Sequence, residues 1–107
     1  MKLEEQIAKA LSIYNASAKP EEFADFADQL NESFIKPVEE QGGKFQGIAY
    51  TDMPRSMGGY WIITFDTRAS KVNKDFMDSI MVDDDSQPYS QWGGYYGTAW
   101  ILIPYFA

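Results

Sequence analysis

Neither cysteine nor histidine occurs in this chain of 107 residues, so any chemistry it performs must come from carboxylates, amines, hydroxyls and backbone. Their absence excludes a disulfide framework, a thiolate nucleophile, a Cys/His zinc site, haem held through His or Cys, an imidazole base and a histidine pH switch. The common Ser-His-Asp triads cannot be built, and no Gly-x-Ser-x-Gly elbow is present. Carboxylate pairs are the remaining route to acid–base or glycosidic chemistry, and Asp52 and Asp66 sit at the ends of neighbouring predicted strands. Glycosidic chemistry needs two carboxyls about 5 to 9 Å apart beside a cleft, for which so small a sheet leaves little room. The run Asp83-Asp84-Asp85 offers clustered oxygens to a hard cation. An EF-hand loop, however, alternates its ligands and ends on a bidentate Glu, so the run reads as a solvated loop or an acidic knob. Trp92-Gly93-Gly94-Tyr95-Tyr96-Gly97 has the glycines of a phosphate loop, but it lacks the Lys and Ser/Thr and runs into a strand. The sequence therefore assigns no catalytic residue, no metal ligand and no cofactor.

Recognition chemistry is better supplied. Segments 53–59 and 87–97 hold Met57, Tyr89, Trp92, Tyr95 and Tyr96 among Ser, Gly and Arg. Rigid aromatics give contact area at low entropic cost, small residues adapt, and Met and Arg are enriched at interface cores. The alternative is that Tyr89, Trp92, Tyr95 and Tyr96 fold back over the sheet as a satellite core. Glu22, Asp25, Asp28 and Glu32 form a second candidate surface, the acidic outer side of a helix, which is equally what a solvated helix face looks like.

The elements that must position these groups follow from periodicity. Leu3, Ile7, Ala10, Leu11 and Tyr14 recur at helical spacing and predict a helix over 2–16. Pro20 with Glu21 and Glu22 opens a second helix over 20–36 or slightly longer, its inward stripe made by Phe23, Phe26, Ala27, Leu30 and Phe34 and extended by Val38. Pro37 is expected to kink or end it, and Gly42-Gly43 closes the segment. Phe45–Thr51 and Tyr60–Asp66 then alternate at period two and predict adjacent antiparallel strands. Val72, Phe76, Met77, Ile80 and Met81 predict a third helix over 70–82. Residues 86–97 read as an uncharged aromatic loop. Thr98–Phe106 reads as a strand apolar on both faces and therefore central, with Pro104 marking where pairing stops. The expected product is a single α+β domain over 1–107. Two N-terminal helices and a third helix pack on a mainly antiparallel three-stranded sheet in the order ααββαβ.

Nine Lys+Arg against sixteen Asp+Glu give a net charge of −7, unsuited to neutralising phosphates, so neither direct nucleic-acid binding nor an anionic membrane is expected. Acidic residues stand at Glu4 and Glu5, where a signal peptide would be apolar, which predicts a cytoplasmic protein. A short, acidic, aromatic-rich profile without catalytic motifs is similar to anti-restriction and anti-CRISPR proteins. That similarity implies a phage-encoded inhibitor docking on a basic or nucleic-acid-binding enzyme and blocking its substrate site. Glu22, Asp25, Asp28 and Glu32 would steer association, while Met57, Tyr89, Trp92, Tyr95 and Tyr96 would supply desolvated anchors. The competing expectations are a structural homo-oligomer built on Trp61, Trp100 and the last strand, and a small-ligand sensor using an aromatic pocket.

Overall fold

A computed structural model describes residues 2–52, 59–81 and 90–105. Helix α1 (Leu3–Leu11) buries Ile7, Ala8 and Leu11, and it carries Glu4 and Glu5 in its first turn and Lys9 in its last, as the macrodipole favours. It stops five residues short of the expected end because side chains compete for the backbone there. Ser12 Oγ donates to the Lys9 carbonyl at 2.6 Å, and Asn15 Oδ1 accepts from the Ser17 N–H at 3.0 Å.

Residues 20–40 form one helical run of changing pitch: a 3-10 turn Pro20–Phe23, α2 (Ala24–Leu30), a π segment Asn31–Ile35 and α3 (Lys36–Glu40). Pro37 does not end the run, which continues to Glu40. It falls in the first turn of α3, directly after the π segment, where the regular i→i−4 ladder has already been interrupted. The wide turn also explains why Phe34 and Ile35 are both buried. Ile35 follows Leu30 by five residues, which returns it to the same face only at π pitch. The run closes in a Schellman motif: Gly43 N–H donates to the Val38 carbonyl at 3.0 Å and Gly42 N–H to the Glu39 carbonyl at 2.9 Å. Gly42 adopts a φ of 91°, which a side chain would resist.

Strands β1 (Lys44–Asp52) and β2 (Gly59–Asp66) pair antiparallel, with a register irregularity between Phe45 and Gly47. After α4 (Lys74–Ile80), whose Asn73 cap accepts from the Phe76 N–H at 2.8 Å, come β3 (Gln91–Tyr95) and β4 (Thr98–Tyr105). The sheet has four strands in the order β1-β2-β4-β3, not three, because residues 91–95 of the expected aromatic loop pair along β4. Glycines and aromatics disguised this strand, whose hairpin closes on Tyr96-Gly97 with Gly97 at a φ of 84°. Strand β4 is central, as its apolar sequence predicts. Its pairing with β2 continues through Pro104 to Tyr105 instead of stopping at the proline. Among the described residues the β3 pairing reaches Leu102 and Pro104 is paired on the β2 side alone, a place that tolerates a strand proline.

One sheet face is the core. Trp61, Ile63, Phe65 and Ile101 are 0% exposed and meet Ile7, Leu30, Val38 and Met77 from the helical layer. Each such side chain contributes on the order of 1.5–3 kcal/mol through burial. Among the described residues no helix is long and apolar enough to cross a membrane.

Candidate functional site

The 20–40 run buries Phe23, Ala27, Leu30, Phe34, Ile35 and Val38, so its polar residues must face outward. All four expected ridge residues, Glu22, Asp25, Asp28 and Glu32, are exposed, and Glu21, Glu39 and Glu40 join them. Seven carboxylates stand against the one amine of Lys36, a net of −6 out of −7 for the chain. Lys36 Nζ donates to Glu32 Oε1 at 2.9 Å, and that hydrogen bond raises the Lys36 pKa. The run is about 30 Å long at helical rise, which gives roughly one carboxylate per 4.5 Å. A single nucleic-acid strand carries about one phosphate per 3.4 Å and a duplex about one per 1.7 Å.

The aromatic residues divide differently from the sequence expectation. Trp92 pairs with inward-facing Ile101, so its indole lies half-buried against the core, and its Nε1–H donates to Asp78 Oδ1 on α4 at 2.8 Å. This is the satellite-core alternative. Tyr95 and Tyr96 are 71% and 99% exposed. Tyr95 lies on the sheet face opposite the helices, edge-on to Trp100 with ring centroids 5.7 Å apart. The acidic ridge and Tyr95 thus occupy opposite sides of the molecule. Met57 and Tyr89 lie outside the described residues, as does Asp83-Asp84-Asp85.

Trp61 is 0% exposed between Phe26 and Tyr50, with ring centroids 5.6 and 4.8 Å away, so it belongs to the core and not to an oligomer surface. Trp100, expected with the last strand at an oligomer surface, lies on the outer sheet face. Its ring lies across Gly93 on the neighbouring strand, where an added Cβ would come within 2.7 Å of the indole. Ile62 and Leu102 share that face. The signal was available in Ile62 and Leu102, whose alternation partners point inward, but it is legible only once β4 is placed beside β2.

The enzymatic candidate separates. Asp66 registers with Lys44 and Asp52 with Gly59, so the two aspartates stand at opposite ends of β2's pairing, roughly 23 Å apart at strand rise. Asp66 is also engaged. Its Oδ2 accepts from Arg68 Nη2 at 2.8 Å, and its Oδ1 accepts from Arg68 Nε at 3.1 Å and the Arg68 N–H at 3.0 Å. These bonds, the side-chain ones first, lower its pKa from 3.8 to about 2. Among the described residues no three acidic side chains come together to hold a metal ion. An open groove of about 600 Å³ lies between α1 and β1, lined chiefly by Ala10, Ile13, Ile48 and Tyr50. Comparison with protein-family models, curated proteins and solved structures finds no match to this chain.

Proposed function

We propose that this chain is a non-enzymatic binding protein, an inhibitor that docks its acidic ridge on the substrate groove of a basic, nucleic-acid-binding enzyme. The observation that carries the reading is the charge distribution: seven exposed carboxylates on one continuous helical run hold nearly all the net charge. A groove built to track a phosphate backbone attracts such a ridge, and its linear charge density is closer to that of a single strand than of a duplex. Burial of Leu30 before the π turn, Phe34 and Ile35 within it and Val38 after it anchors the ridge along its length, so little ordering entropy is lost on docking. A phage origin and a target in restriction or CRISPR defence are the specific form of this proposal.

The test is capture from a bacterial lysate at low salt, followed by measurement of the captured enzyme's nucleic-acid binding with and without the chain. Loss of nucleic-acid binding is expected. Asp25→Lys with Asp28→Lys should slow association on the order of 10-fold at low salt, and the difference should vanish at 1 M salt. Full nucleic-acid binding by the enzyme at saturating chain, or wild-type association by the double variant, would overturn the reading.

A further inference from the structure

The sheet has two faces and the described helices cover only one. On the other, each strand alternates outward the residues whose neighbours fill the core: Ile62 and Thr64 on β2 and Trp100 and Leu102 on β4, with Gly93 and Tyr95 on β3. We infer that this face is where a second copy of the chain docks, sheet against sheet, as a two-fold dimer. The inference is independent of the ridge.

Charge favours this occupant. No charged side chain stands on the outward positions between Thr51 and Tyr60 at one end and Thr64 and Tyr95 at the other. Among the described residues the nearest charges are Lys44 and the Asp66–Arg68 pair, at the rim. Two molecules of net charge −7 repel across almost any contact, and least where an uncharged face meets its own copy with both acidic ridges turned away. Area supports it too. Three strands of eight or nine residues and one of five, at about 3.3 Å per residue and about 4.8 Å between strands, give a footprint of roughly 475 Å². Two flat footprints come to about 950 Å², and the relief of side chains such as Trp100 and Leu102 raises the buried area to the roughly 1,000 Å² lower bound for a specific interface. Twisted sheets pack face to face about 10 Å apart with strands near −30°, which leaves room for the Trp100 ridge over Gly93 to fit beside its symmetry mate.

Light scattering on the purified chain across a concentration series tests this. A mass of twice 12.2 kDa at tens of micromolar is expected. Thr64→Lys and, separately, Leu102→Lys should raise the dimer dissociation constant on the order of 100-fold, since two-fold symmetry brings each new charge near its copy. Far-ultraviolet circular dichroism should stay unchanged in both. Dimerisation should tighten as salt rises, because like-charged bodies are being screened, whereas a complex made through the acidic ridge should weaken. Asp25→Lys with Asp28→Lys should leave the dimer intact, which separates this inference from the proposed function. A mass of 12.2 kDa at every concentration would overturn it, as would a dimer undisturbed by both lysines, or a monomer that loses a different protein partner on Thr64→Lys.

Discussion

Replacing Trp92 with alanine should damage the fold first. A core Trp→Ala change costs about 3–5 kcal/mol, and a half-buried indole packed on the core should lose roughly half of that, about 2 kcal/mol. The Nε1–H bond to Asp78 Oδ1, 2.8 Å long and solvent-accessible, adds about 1 kcal/mol. The sum of about 3 kcal/mol is a large fraction of the roughly 5–15 kcal/mol typical of a domain, and it should lower the melting temperature by about 12–20 °C. Urea unfolding followed by circular dichroism is the assay, because fluorescence changes with the tryptophan itself. Trp92→Phe keeps an aromatic ring but removes the donor and part of the indole's packing, so it should lose between about 1 and 2 kcal/mol, and a cycle with Asp78→Ala should return a coupling of about 1 kcal/mol. If Trp92→Ala unfolds within about 0.5 kcal/mol of wild type, β3 is not held by α4 and the assignment of Trp92 to the core is wrong.

Two further perturbations follow from local geometry. Gly93→Ala should destabilise by about 1 kcal/mol in the same urea assay, because the new Cβ displaces the Trp100 ring and its edge contact with Tyr95, outweighing alanine's lower backbone entropy. Asp66 has a depressed folded pKa, so its contribution to stability is fully present above pH 3.8 and is lost as the pH falls toward about 2. The urea midpoint should fall through that window, and Asp66→Asn should flatten part of the decline.

The sequence is legible where one physical period dominates. Trp61, Ile63 and Phe65 alternate without interruption, and the apolar run of β4 places it between two other strands. The failures are places where two signals competed. Residues 91–95 are rich in glycine, which disfavours a strand locally, and they pair because Trp100 covers Gly93 from across the ladder, a compensation invisible along the chain. Pro37 reads as a helix terminator, and only the π turn before it explains its tolerance. The exposure of Glu22, Asp25, Asp28 and Glu32 is legible, since it follows from the buried stripe beside them. The side of the sheet on which each aromatic falls is not, because a strand read as a loop has no faces.

The strand order also governs how the chain reaches this structure. Each half of the sheet is a local hairpin, but β2 and β4 meet only after the 31 residues of 67–97 have been looped out. Closing a loop of that length costs about 3 kcal/mol in chain entropy by the logarithmic rule, recovered only when the β2–β4 ladder forms. Folding should therefore be limited by joining two preformed hairpins, at a rate set by topology more than by stability. Until that seam closes, the facing edges of β2 and β4 expose unpaired backbone N–H and C=O groups, and the lifetime of that species sets how long a newly made chain is exposed to misassembly.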